Sequence, residues 1–328
     1  MGINGWESIG IINYREAQFL LNELRGFGLD ISEFEPKELI EKDLNAVSSF
    51  INNAFISLVP QRKGLTSNII KSKMNSALLS DGNFSWLKDN KRATFWVWGQ
   101  IYLFHSFGLT GFESNDIFIK EGLDIQASLR RNPVFSHGSR FDDIVYAFDL
   151  RMKISYSEKQ SIISFCHRYW ANIFSDDKAL KWISKRDIGL CQWAFNYIRE
   201  HQSRIALPVI DSIGHYFGNK QLPDLIDTPA NLLPEPVDNE ELFNSILAMY
   251  DLWRVTPEKK ELFLIHINKA WNQKKVRDNR KGKKALNTHI SEGAKDRLML
   301  LAYRHNMNIG PLLEMLIEKE FSSSGGKL

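Results

Sequence analysis

Hydrophobic positions along this chain recur at three- and four-residue intervals through most of its length, the spacing that lines side chains along one face of a helix. Segments 15–25, 66–80, 91–107, 139–153, 157–174, 186–202 and 239–253 each carry such a stripe or are apolar on all sides. Pro36 suits a first helical turn, and the spacing behind it runs to Val59, where Pro60 stops it. Ser157 with Gln160 predicts a capping box, and Thr256-Pro257-Glu258 opens a helix expected to run through Trp271. Period-2 runs joined by hairpin dipeptides are missing, so the body is expected to be all-α. Pro223, Pro229, Pro234 and Pro236 mark 222–237 as an extended connection behind a helical domain at 1–221. A faint internal echo pairs Phe148-Asp149-Leu150, followed by Ser157-Glu158-Lys159 and Trp170, with Tyr250-Asp251-Leu252, followed by Pro257-Glu258-Lys259 and Trp271.

The pattern changes at 285. Leu286, Thr288 and Ile290 alternate with Ala285, Asn287 and His289, which predicts one short strand with an apolar and a polar face. Ser291 then caps a helix whose inward positions are Ala294, Leu298, Leu301 and Ala302. After the polar break at 305–308, Gly310 as N-cap and Pro311 begin a second helix that buries Leu312, Leu313, Leu316 and Ile317. A single strand has no partner and about forty residues give too small a core, so 285–320 is expected to fold only as a dimer, with 321–328 as a flexible tail. In such a dimer the two strands pair into a ribbon whose polar face fits the major groove of DNA.

Charge sharpens that expectation. Lys269, Lys274, Lys275, Arg277, Arg280, Lys281, Lys283 and Lys284 stand against one acid, Asp278, giving the 269–284 stretch +7 in a chain whose net charge is +3. The rest of the chain is therefore mildly acidic, and the basic arm of a helical segment at 238–284 leads directly into the two-helix unit. Lys274, Lys275, Arg277, Arg280, Lys281, Lys283 and Lys284 are its candidate phosphate contacts.

On the alternating strand ending at Ile290, Leu298 with Leu301-Ala302, and then Ile309, Leu313 and Ile317, residues 285–317 resemble the ribbon-helix-helix DNA-binding family. They align with its Arc-type members without a gap. The stretch 297–318, notably Leu301-Ala302 and Leu316-Ile317-Glu318, resembles the chromosome-organising MatP branch, in which a helical bundle precedes the ribbon. The resemblance implies a homodimer with Leu286, Ile290, Leu298, Leu301, Leu313 and Ile317 in its core. It places Ala285, Asn287 and His289 against DNA bases, and Gly310 at a helix start that holds a backbone phosphate. Ala285 departs from the family, since it can touch only a thymine methyl, and Thr288 departs because that inward position is usually apolar.

Enzymatic patterns are missing: the sequence holds no GxGxxG, Walker A loop, HExxH, GxSxG or CxxC. Ser136-His137-Gly138-Ser139 ahead of Asp142-Asp143 reads as a polar turn capping a helix, and Cys166-His167 as part of a buried helix face. No cofactor or metal is expected. The expected partners are double-stranded DNA, a second copy, and another protein on the helical body. No apolar run reaches membrane-spanning length and no leader pattern opens the chain, so a cytoplasmic, nucleoid-associated protein is expected. The alternatives are a repressor of a plasmid, phage or mobile element, or an effector enzyme whose C-terminus addresses it to DNA.

Overall fold

The computed structural model describes residues 6–34, 37–103, 129, 133–174, 179–216, 233–253, 255–279, 282, 284 and 286–325. Pro36, residues 104–107 of the fourth predicted helix and residues 222–232 of the proline-bearing stretch lie outside them. The body is all-α, and no strand occurs among the described residues. The chain divides into two compact units, 1–268 and 269–328.

The larger unit opens with α1 (Tyr14–Gly26), α2 (Lys37–Lys42), α3 (Leu44–Leu58) and α4 (Ser67–Ala77). Asn13 caps α1 by accepting the Glu16 N–H at 2.9 Å. Gly28, in the left-handed region at φ 91°, ends it, with the Leu29 N–H returning to the Leu24 carbonyl. The apolar run expected from 37 to 59 is two helices. Asp43 interrupts it and caps the second, accepting the Ala46 N–H at 2.9 Å, because an Asx side chain competes with helix continuation. Asn52, buried on α3, holds the N-terminal segment like a strand partner. Its Oδ1 accepts the Ile9 N–H at 2.8 Å, and its Nδ2 donates to the Ile9 carbonyl at 3.1 Å.

Next come α5 (Ser85–Lys88), α6 (Lys91–Leu103), α7 (His137–Tyr146), α8 (Tyr156–Phe174), α9 (Ile188–Tyr216) and α10 (Asn239–Leu252). Every residue of α6 from Ala93 to Tyr102 is buried, so it is the central helix, packed against α7 and α10. A Cβ on Gly99 would stand 2.4 Å from Leu252 Cδ1, and the absent side chain lets α10 approach. One turn of π-helix, Ala147–Arg151, follows α7 where the sequence predicted continuous α-helix.

The faint sequence echo has a structural counterpart. Arg15, two residues after the capping Asn13, grips Asp149 with two bonds of 2.7 Å. Arg92, two residues after Asn90, grips Asp251 in the same way at 2.7 Å. Asn90 caps α6 by accepting the Ala93 N–H at 3.0 Å, as Asn13 caps α1. Both aspartates are the middle residue of the echoed triplets, so one capped-helix and arginine-clamp arrangement occurs twice among the described residues. The capping box before α8 lies two residues earlier than predicted. Ser155, not Ser157, receives the Glu158 N–H, and Glu158 returns to the Ser155 N–H at 2.8 Å.

The smaller unit holds the end of α11 (Pro257–Asn279), then α12 (Glu292–Arg304) and α13 (Ile309–Ser323). Ser291 stands at the N-cap position of α12, as expected, but its side chain makes no capping bond. Asn306 at φ 51° makes the turn between the helices, with the Met307 N–H bonded to the Ala302 carbonyl at 3.0 Å. Residues 286–291 form no strand within one chain, for a lone strand has no neighbour to satisfy its backbone. The tail is also shorter than predicted, since α13 runs to Ser323.

Candidate nucleic-acid interface

Residues 286–291, ahead of α12, are all exposed. Asn287 and His289, the described members of the predicted reading face, are exposed, and so is Thr288. Leu286 and Ile290, predicted to face inward, are also exposed, at 68% and 50%. Within α12 and α13, Leu298, Leu301 and Leu313 are half-buried while Ile317 is 57% exposed. Among the described residues of the 269–328 unit, only Ala302 and Leu312 are buried. The six predicted dimer-core residues are thus at most partly covered by their own chain.

The start of α13 corrects the sequence reading. Asn308 is the N-cap with extended backbone, Ile309 is the first helical residue, and Gly310 and Pro311 follow. Proline is tolerated anywhere in a first turn because the amide it lacks would have no helical partner there, so it did not fix the boundary. The Asn308 side chain makes no capping bond. The Leu312 N–H is taken by the Asn308 carbonyl at 3.2 Å, and Ile309 and Gly310 lie in the first turn, at the positive end of the helix dipole.

The basic arm is unevenly available. Lys275, Arg277 and Lys284 are exposed. Lys274 is half-buried, pairs with Asp278 one turn on, and lies 5.7 Å from the Trp271 ring centroid, so part of its charge is engaged within α11. Arg280, Lys281, Lys283 and Ala285 lie outside the described residues.

In the body, the Ser136–Asp143 cluster brings serine, histidine and carboxylate side chains into one stretch. Ser136 Oγ accepts the Ser139 N–H at 3.1 Å and caps α7, and His137 Nε2 meets the Lys88 carbonyl at 2.7 Å. His137 Nδ1 has no hydrogen-bond partner, so no serine–histidine–carboxylate relay is assembled here. Asp143 lines a cleft of about 990 Å³ with Arg15, Arg25, Lys88 and Asp142. Burial pushes its carboxyl up to about 6, opposed by the 3.0 Å bond it accepts from Trp98 Nε1. Cys166 is wholly buried and its thiol is pushed up to about 12, which suppresses the thiolate. No group of three metal-ligating side chains and no helix long and apolar enough to cross a membrane occurs among the described residues. Comparison with protein-family models, with curated proteins and with solved structures finds no match to this chain.

Proposed function

We propose that this chain is a homodimeric, sequence-specific double-stranded DNA-binding protein whose C-terminal 285–320 segment is a ribbon-helix-helix module. The observation that carries the reading is the near-absence of a core in the 269–328 unit. Its helices are well formed, yet Leu286, Ile290 and Ile317 lie open at the positions a paired ribbon and interlocked helices would cover. Each such side chain gains about 1.5–3 kcal/mol on full burial, so a second copy is a strong stabiliser. In the dimer, 286–291 of the two copies pair as the strands that one chain alone does not form. Asn287 and His289 then face the bases, the Ile309 and Gly310 amides hold a phosphate, and the α11 cations neutralise the flanking backbone. The helical body, larger than a reader needs, supports a DNA-organising or regulatory role through a further protein partner.

Sedimentation of the full chain and of Leu313→Asp tests this. The wild type should be dimeric at micromolar concentration, and the variant, which would bury an unpaired carboxylate, should be monomeric and bind duplex at least a hundredfold more weakly. A wild type that stays monomeric with and without DNA would sink the proposal.

A further inference from the structure

The first helix of the C-terminal unit has a second apolar face, opposite the one that bears the buried Ala302. Leu298, Leu301 and Ala302 point to one side of α12, where Ala302 is buried. At about 100° per residue, Met299, Leu300 and Tyr303 fall on the other side, and Tyr303 is 85% and Leu300 51% exposed. The charges on this face are ordered symmetrically about Leu300. Asp296 and Arg304 flank it four residues away on either side, and Arg297 and Tyr303 flank it at three. All four are exposed.

We propose that this face is a second self-association surface that takes the α12 of another copy in an antiparallel crossing centred on Leu300. In that crossing each Asp296 meets the other copy's Arg304, each Arg297 meets a Tyr303 ring, and the two Leu300 side chains touch. A parallel crossing would instead set Asp296 beside Asp296 and Arg304 beside Arg304, so the charge order selects the antiparallel pair. The contact is isologous, one patch serving both partners. The commonest class of helix crossing runs the four-residue rows of both helices side by side, which is the row formed by Asp296, Leu300 and Arg304. One such crossing covers well under the roughly 800 Å² per partner of a stable interface. It therefore acts where copies are already concentrated, linking one module dimer to the next along or between DNA segments. The crossing itself stands on α12 alone; the linking of dimers rests on the ribbon reading.

Disulfide trapping in the full chain tests it. Packed helices lie about 8–10 Å apart, which brings the two Leu300 Cα atoms to roughly 4–5 Å, within reach of a disulfide. The native thiols, Cys166 and Cys191, are buried and give little background. Under mild oxidant Leu300→Cys should form a two-chain product at least tenfold faster than Lys295→Cys, which lies on the far side of the helix. Adding Asp296→Arg or Arg304→Asp should slow trapping at least fivefold, and the two together should restore it to within twofold. Equal rates for the two cysteines, or no restoration by the double reversal, would overturn the inference. The mass of the trapped species separates the two readings. Covalent pairs sedimenting as four or more chains of 37.9 kDa support both. Charge-dependent pairs sedimenting as two chains keep the α12 crossing and overturn the ribbon dimer. A non-covalent dimer with no trapping does the reverse.

Discussion

Asp143 shows how one residue carries a cost that its neighbours only partly offset. It accepts a hydrogen bond from Trp98 Nε1 at 3.0 Å, yet burial dominates and lifts its carboxyl from 3.8 to about 6. The fold thus favours the protonated form. The penalty is absent below about pH 4, grows as the group ionises between 4 and 6, and is complete above 6. Asp143→Asn keeps an acceptor for Trp98 and removes the charge. Urea midpoints should show the variant more stable at pH 7.5 by about 1 kcal/mol, a figure discounted for partial solvent exposure, and no more stable at pH 4. A gain of the same size at both pH values would assign the effect to packing. None of this was legible in the sequence, where Asp142 and Asp143 are two adjacent carboxylates before an apolar stripe. The burial of Asp143, and the bond it accepts from Trp98, 45 residues away in sequence, arise only in the folded chain.

At the scale of elements, side-chain spacing was enough to place the helices but not to end them. Ser155 with Glu158 and Ser157 with Gln160 both satisfy the capping-box pattern. The register is set by a distant contact: Lys159 is buried and donates to the Ala77 carbonyl at 2.8 Å, which fixes which face of α8 turns inward. The same limit explains the missing strand, for local alternation at 286–290 specifies a face but cannot supply a neighbour. The arginine clamps are long-range too: the faint echo marked the two aspartate triplets, but Arg15 and Arg92 as their partners emerge only in the fold. Asp251 has a side chain only 1% exposed, and Arg92 is 17% exposed. Asp251→Ala should therefore lower unfolding stability by about 3–5 kcal/mol, the usual cost of stranding one charge of a buried pair. Replacing both Arg92 and Asp251 with leucine should recover much of that loss, read from denaturant midpoints at constant slope. If the double replacement proves as damaging as Asp251→Ala, the clamp contributes through geometry that leucine cannot imitate.

Across the whole molecule, DNA affinity and sequence choice are expected to reside in different residues, and that separation can be measured. The 269–284 stretch holds +7 in a chain of net +3, and Lys275, Arg277 and Lys284 are exposed. Phosphate contacts of this kind release counterions, so each one adds about 0.9 to the slope of log affinity against log salt on duplex DNA. Replacing Lys281, Lys283 and Lys284 with alanine removes up to three contacts from each copy. The slope for a dimer should then fall by up to about 5, with all duplexes weakened alike. Asn287 is expected to work in the opposite sense, because its amide can pair bidentately with adenine whereas Ala285 offers only a methyl. Asn287→Ala should cost about 1–3 kcal/mol on the preferred site and leave both the salt slope and binding to scrambled duplex unchanged. Titrations of both variants on both duplexes across a salt series give four curves, and the proposed division requires that they separate in pairs. Should Asn287→Ala keep the wild-type ratio between preferred and scrambled duplex, the reading face is not the one that bears Asn287 and His289. The reader would then be the opposite strand face, which a one-residue change of register exposes, the N-terminal body, or the shape of the DNA.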